Sequence, residues 1–185
     1  AVLRDSDKYY KLSQGSFDIT ILPILKHNQK LYSTKPAEDF HNFNNIPDSG
    51  VDQIQYSDKG IRFLRQGMQI SLDGIAKGYI VDQAIYYLKE QGIDYAMVEA
   101  GGDIRTIGRQ SKQKTWKIAI SDPWNKEQSA QVIELTNAAV ATSGNYEKYF
   151  DPLRQHHHLI DKKTKDSPGH TVSCTVVAPT ALEAD

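Results

Sequence analysis

Residues 71–79 (S-L-D-G-I-A-K-G-Y) contain the parts of a phosphate-binding site at the start of a helix. The first turn of a helix offers unpaired backbone amides and the positive end of the helix dipole, and Lys77 adds a cation there. Asp73 opposes an anion at this position. A divalent cation between carboxylate and phosphate, with backbone carbonyls near Gly74 as further ligands, would reconcile the two. An ordinary capped helix with a solvated lysine explains the same residues, so both interpretations stay open.

Other stretches place glycines, hydroxyls and carboxylates at predicted element boundaries, where functional sites often lie. Residues 15–20 (G-S-F-D-I-T) fit a binding loop, and equally a helix stop followed by an Asx turn. Residues 101–103 (G-G-D) and 142–144 (T-S-G) each follow a predicted strand. They allow either close approach of a ligand to the backbone or a tight turn.

Three consecutive histidines, residues 156–158, precede Leu159, Ile160 and Asp161. Side chains alternate between the faces of a strand, so the three cannot all ligate one metal. One of them, with Asp161 close in sequence, could act as a general base near neutral pH. A solvent-exposed run explains the same residues. The other histidines, at positions 27, 41 and 170, have no partner spacing and are assigned no role.

The elements that must position these residues are mostly strands. Helices are predicted over residues 1–14 and from an N-cap at Asp73 to a stop at Gly92, the second with an apolar stripe at positions 76, 80, 84 and 88. Residues 27–50 indicate a long surface excursion. A hairpin is predicted over 53–57 and 61–65, and further strands over 68–72, 95–100, 116–121, 131–136, 138–142 and 171–178. The pattern favours an α+β fold with mostly antiparallel sheets and packed helices.

Composition excludes several classes of protein. The 185 residues carry 22 Lys and Arg against 23 Asp and Glu, a balance without the footprint of a nucleic-acid-binding protein. The single cysteine, Cys174, rules out a disulfide framework within the chain. No apolar run reaches the ~20 residues that span a bilayer, and no signal peptide opens the chain.

Both ends of the sequence indicate a piece of a longer protein. The chain starts abruptly at Ala1, and residues 180–183 form a capping box, the signal of a helix start, just before the last residue.

Six motifs in order resemble those of the ApbE family, the FAD:protein FMN transferases. They are G-x-F-D-x-T (residues 15–20), the D-L-G-G-I-A-K-G-Y stretch (71–79), a strand ending in G-G-D (101–103), T-S-G-x-Y (142–146), H-x-[IL]-D (158–161) and A-P-T-A-L-E-A-D (178–185). Together they span essentially the whole chain, and their common order is far more specific than any one motif.

The resemblance implies a single FAD-binding catalytic domain over residues 1–185, truncated at both ends, with ApbE/T-fold-like architecture. It implies Mg²⁺-dependent transfer of FMN from FAD to a Thr or Ser hydroxyl of an acceptor protein, releasing AMP. Carried over by position, His158 would be the base. Ser16, Phe17, Asp18, Ser71, Lys77 and Ile160 would contact FAD, and the Gly74 carbonyl and Asp185 would hold Mg²⁺. The implied acceptor is a flavoprotein subunit of a redox complex. The implied location is periplasmic or extracytoplasmic, with the membrane reached only through a lipoprotein-type N-terminal anchor absent from this chain.

The chain departs from the family pattern at several positions. Ser71 stands where the family has Asp, and Asp73 stands where it has Gly. The family's D-P-x-T-G turn is replaced by residues 161–165 (D-K-K-T-K), and the Asp and Thr that follow the last motif lie beyond Asp185. Two alternatives to the transferase follow: a non-catalytic FAD-binding or flavin-delivery protein, which Ser71 favours, and an FAD pyrophosphatase, in which water replaces the acceptor hydroxyl.

Overall fold

The computed structural model describes residues 1–34, 43–47, 49–125 and 127–185. The chain forms two compact units. The first unit comprises residues 1–72 and 145–171, and the second comprises residues 73–144 and 172–185. The expectation of a single domain over residues 1–185 stays a prediction.

The first unit begins with two helices. Helix α1 (Val2–Leu12) confirms the predicted helix over residues 1–14, and Gly15 follows it at a φ of +82°. A 3₁₀ turn (Ile19–Ile21) leads into helix α2 (Leu22–Thr34). The predicted surface excursion is therefore wrong for residues 27–34, whereas its residues 35–42 and 48 lie outside the described part. The pattern misled because α2 buries polar side chains: Asn28 is fully buried and donates to the Lys165 carbonyl at 2.8 Å.

A hairpin and an extended segment complete the first unit's core. Strands β1 (Ile54–Ser57) and β2 (Gly60–Phe63) pair antiparallel, which confirms the predicted hairpin. The strand predicted over residues 68–72 is wrong: this segment pairs with no strand of the described chain, although the Ser71 amide donates to the Ile19 carbonyl at 2.8 Å. It is extended because its apolar residues complete a core of four buried side chains, Ile19, Val51, Ile54 and Met68.

The second unit is built on an antiparallel sheet. Strands β3 (Ala96–Ala100), β4 (Asp103–Ile107), β7 (Ala139–Gly144) and β8 (Ser173–Ala178) lie in that order across it. Strands β5 (Trp116–Ser121) and β6 (Ser129–Leu135) form a separate hairpin. The α+β class and the five strands predicted in this region are confirmed. Strand β4 was missed because only Gly101 and Gly102, both at positive φ, separate it from β3.

Alternation along β7 divides the core of the second unit. Ala139 and Ala141 face helices α3 (Ala76–Glu90) and α4 (Ala181–Ala184), while Val140 packs with Ile118 and Leu135 of the hairpin. The hairpin carries both tryptophans of the chain: Trp116 is partly buried in this second cluster, and Trp124, between the two strands, is 81% exposed.

Helix α3 differs from its prediction at its start and on its buried face. It begins at Ala76 rather than after an Asp73 cap, and no side chain caps it. Its buried residues are Gly78, Val81, Asp82 and Ile85, whereas Ile80 of the predicted stripe is 61% exposed. A stripe drawn from apolar residues alone could not include a buried glycine and a buried carboxylate. The predicted stop is correct, because Gly92 follows α3 at a φ of +77°.

No helix among the described residues has the length and apolar character needed to cross a membrane.

Candidate active-site residues

The start of α3 brings a cation to a buried carboxylate in the second unit. Lys77 lies in the first turn, and its Nζ donates to Asp103 Oδ1 and to the Gly101 carbonyl, both at 3.1 Å. Asp103, the first residue of β4, is 1% exposed. The sequence places Asp103 in the G-G-D motif but assigns it no role. The turn between β3 and β4 aims this carboxylate at Lys77, and that turn was visible only as two glycines.

Asp185 lies beside the same two residues. Its Oδ2 accepts the Gly78 backbone amide at 2.9 Å. Burial raises the pKa of Asp185 to about 6. The charge of Asp103 raises it as well, while the Gly78 amide and Lys77 act in the opposite direction. Asp103 and Asp185 are therefore two interacting carboxylates with one ammonium group beside them.

This arrangement has the donor chemistry of a magnesium site. Asp103 Oδ2 is buried and has no hydrogen-bond partner in the described structure, and two close carboxylates repel unless a proton or a cation lies between them. Hard oxygen donors of this kind suit Mg²⁺. Gly74 lies in the exposed turn just before α3, where its carbonyl is a further oxygen donor. Among the described residues, no three His, Cys, Asp or Glu side chains group closely enough to bind a metal by themselves. These residues would thus supply part of a metal's coordination shell, and phosphate oxygens or water would complete it.

In the first unit, Ser16, Phe17 and Asp18 follow α1. Asp18 is 6% exposed, and its Oδ1 accepts from the Thr20 amide at 2.8 Å and from the Thr20 hydroxyl at 2.7 Å. Its Oδ2 forms an ion pair with Lys162. Asp18 therefore holds the backbone of this turn, Ser16 remains exposed, and Phe17 is partly buried against the core. Lys162, which departs from the family motif, is the partner that the sequence did not reveal. Ser71 joins the same region through its amide bond to Ile19.

The three histidines have three different environments. His156 stacks on Tyr32 with ring centroids 3.5 Å apart, and its Nδ1 lies 3.2 Å from Asp166 Oδ1. His157 is 2% exposed, and burial lowers its pKa. His158 is only partly buried, and its Nδ1 lies 3.2 Å from the Lys148 carbonyl. Because a carbonyl can only accept, Nδ1 carries the proton in the neutral ring, and Nε2 is left as the basic nitrogen.

Hydrogen bonds fix the segment on which His158 and Ile160 lie. The His157 amide donates to the Ser167 hydroxyl at 2.8 Å, and that hydroxyl donates to the His157 carbonyl at 2.7 Å. The His158 amide donates to the Lys148 carbonyl at 3.2 Å. Ile160 lies two residues further on and is partly buried. Within the first unit, the backbone on both sides of the candidate base is therefore held in place.

The model of the ApbE family matches residues 1–185. The chain belongs to the ApbE family. It is 31% identical to the FAD:protein FMN transferase of Haemophilus influenzae over 196 residues, which cover all of this chain and 56% of that protein. The FAD:protein FMN transferase of Salmonella typhimurium is 29% identical, with 94% of this chain and 52% of that protein covered.

Solved structures of family members have the same fold. The ApbE protein of Thermotoga maritima superposes with a TM-score of 0.86 at 29% identity, over 98% of this chain and 60% of that one. The flavin transferase ApbE of Vibrio cholerae gives 0.76 at 28% identity, over 99% of this chain and 60% of that one. The chain thus spans little more than half the length of the relatives it matches.

Proposed function

We propose that the protein transfers FMN from FAD to a Ser or Thr hydroxyl of an acceptor protein. The acceptor oxygen forms a bond to the phosphorus of the FMN half. The bond from that phosphorus to the bridging oxygen breaks, and AMP leaves with that oxygen. The observation that carries the proposal is the pairing of Asp103 and Asp185 beside Lys77, in a chain of the ApbE family.

Charge neutralisation is the first requirement of this reaction. FAD presents a dianionic pyrophosphate, and its transition state gathers negative charge on the phosphoryl oxygens. Asp103, Asp185 and the Gly74 carbonyl would hold Mg²⁺, which supplies that neutralisation when bound. Lys77 adds a fixed positive charge at the start of α3, where the helix dipole has the same sign.

Proton removal is the second requirement. His158 Nε2 would accept the proton of the acceptor hydroxyl, because Nδ1 is directed at the Lys148 carbonyl. The hydrogen bond from Nδ1 to the Lys148 carbonyl supports this role independently of the resemblance. A positioned base of this kind contributes typically ~10²–10⁴-fold to the rate.

FAD recognition in the first unit would rest on Ser16, Phe17, Asp18, Ser71 and Ile160. The exposed Ser16 hydroxyl is suited to direct contact, whereas the Asp18 carboxylate already bonds Thr20 and Lys162. Asp18 would therefore act by shaping the turn that presents Ser16 and Phe17. We further propose that the acceptor is a flavoprotein subunit of a redox complex, and that transfer takes place on the extracytoplasmic side of the membrane.

The deciding experiment incubates the protein with FAD, Mg²⁺ and an acceptor subunit purified without its flavin. A fluorescent flavin band that survives denaturing electrophoresis, with equimolar AMP, supports the proposal. Free FMN with AMP would instead identify a pyrophosphatase. FAD binding without either product would identify the non-catalytic flavin binder that Ser71 favours.

A further inference from the structure

Asp82 is a buried carboxylate in the middle of α3, on the same buried face as Gly78, Val81 and Ile85. It is 4% exposed. Its Oδ1 accepts Arg105 Nη1 at 2.6 Å and the Ala181 amide at 2.9 Å, and its Oδ2 accepts the Leu182 amide at 3.1 Å. With both oxygens used, Asp82 is not itself a metal ligand. Removing one partner of a buried charge leaves the other uncompensated, so the groups that Asp82 bonds show what it holds in place.

The partners of Asp82 are the free amides of α4. This helix has four residues, too few to be stable alone, and its first amides have no partner inside the helix. Asp82 accepts two of them, and the Thr180 hydroxyl oxygen accepts the Glu183 amide at 3.2 Å. The start of α4 is therefore bonded to side chains rather than to water.

Two contacts, one helical turn apart, join α3 to α4. Asp82 binds the amide of Ala181, and four residues earlier on α3 the amide of Gly78 binds the carboxylate of Asp185. Ala181 and Asp185 are also four residues apart, at the start of α4 and directly after its end. A shift of the Ala181 amide at Asp82 would therefore move the Asp185 carboxylate, because a single helical turn connects them.

We propose that Asp82, held by Arg105, is a positioning residue that sets the Asp185 carboxylate for the divalent cation. The inference rests on the proposed function, because it assumes that Asp185 is a ligand. Arg105 is 8% exposed, and its guanidinium also lies over the Tyr86 ring at 4.9 Å. It donates to the same Asp82 oxygen that accepts the Ala181 amide, and so holds the carboxylate at the start of α4.

The test measures binding of Mn²⁺ as a probe for the site, by the loss of the free-ion EPR signal, with and without FAD and without turnover. Asp82→Asn is expected to weaken Mn²⁺ binding by about 10- to 100-fold, the usual effect of losing a group that orients a ligand. The pair Asp82→Leu/Arg105→Met removes both charges of this buried ion pair, so neither is left without its partner, and it retains the fold if Asp82→Asn does not. It should weaken Mn²⁺ binding to the same extent. Thr106→Val is the matched control: it alters a fully buried residue of β4, next to Arg105, that does not bond α4.

A double-mutant cycle separates positioning from general stability. In an Asp185→Asn background, Asp82→Asn should change Mn²⁺ binding less than two-fold, since its effect passes through Asp185. Equal Mn²⁺ affinities for the wild type and the Asp82 variants would overturn the positioning role and leave the proposed function intact. Additive effects of Asp82→Asn and Asp185→Asn on Mn²⁺ binding would likewise overturn the positioning role and leave the proposed function intact. A wild-type protein that binds no Mn²⁺, with or without FAD, would instead contradict the metal site of the proposed function.

Discussion

At the scale of single residues, the chemistry depends on which polar atoms are already occupied. Asp18 resembles a ligand-binding residue in sequence, yet both of its oxygens bond other groups of the protein. The sequence assigns no role to Asp103, yet one of its oxygens is buried without a partner in the described structure. Sequence motifs locate such carboxylates well. They do not show which of these carboxylates already have a partner, because Lys162, which pairs with Asp18, and Lys77, which pairs with Asp103, are both distant in the sequence.

Replacing His158 tests the base. His158→Ala should reduce flavin transfer by about 10²–10⁴-fold and leave FAD binding unchanged, because only proton removal is lost. The rate is measured by AMP release and FAD binding by flavin fluorescence. His170→Ala, at an exposed histidine outside the motif, is the control and should transfer normally. Equal rates for the two variants would remove His158 from the mechanism.

Replacing Gly78 tests the close approach of α4 to α3. Alanine normally stabilises a helix interior by about 1 kcal/mol relative to glycine. Here a Cβ would lie 2.4 Å from the Ala181 carbonyl oxygen and 2.8 Å from Asp185 Cβ. Gly78→Ala should therefore lower the free energy of unfolding by ~1–3 kcal/mol. Gly169→Ala, where no atom lies within 4 Å of the new Cβ, should change it by less than about 0.5 kcal/mol in urea denaturation. A more stable Gly78→Ala protein would contradict the contact.

At the scale of elements, the strands were more predictable than the helices. Turn residues between the predicted strands separate β5, β6, β7 and β8 in the sequence, and the structure has strands at those places. Helix α2 and the buried face of α3 escaped prediction for one reason: their buried positions include Asn28 and Asp82, whose polarity is satisfied by distant backbone groups. A search for apolar residues at helical spacing therefore misses buried positions whose side chains are polar and hydrogen-bonded.

The segment carrying the histidines should make stability depend on pH. Burial holds the pKa of His157 below its ordinary value of 6.5, so the unfolded chain binds the proton more readily than the folded one. The stability that neutral His157 contributes is complete above pH 6.5 and is lost as the pH falls through the folded-state pKa. The difference in unfolding free energy between the wild type and His157→Gln should thus be larger at pH 7.5 than at pH 5. A difference independent of pH would show that His157 does not titrate in this way.

At the scale of the molecule, the order of six motifs was sufficient to predict the family, and the family predicts the fold. It could not predict the division into two compact units, since each unit combines segments far apart in the sequence. The apolar clusters of each unit form from its own residues. We therefore expect the fold to persist without metal, with Mg²⁺ adding stability to a structure already formed.

Calorimetry with and without metal tests this expectation. Saturating Mg²⁺ should raise the unfolding temperature, by the equivalent of about 2.7 kcal/mol at 100 times its dissociation constant, and EDTA should reverse the change. Far-UV circular dichroism should be the same in both conditions. Asp185→Asn should unfold at one temperature regardless of Mg²⁺. A loss of secondary structure in EDTA would mean that the metal is required for folding.

The placement of Trp116 and Trp124 in the β5–β6 hairpin has a practical consequence for spectroscopy. All of the indole fluorescence of this chain originates in the second unit. Emission excited at a wavelength that tyrosine does not absorb will therefore follow the melting of that unit alone, and a reporter introduced into residues 1–72 would reveal whether the other unit melts with it.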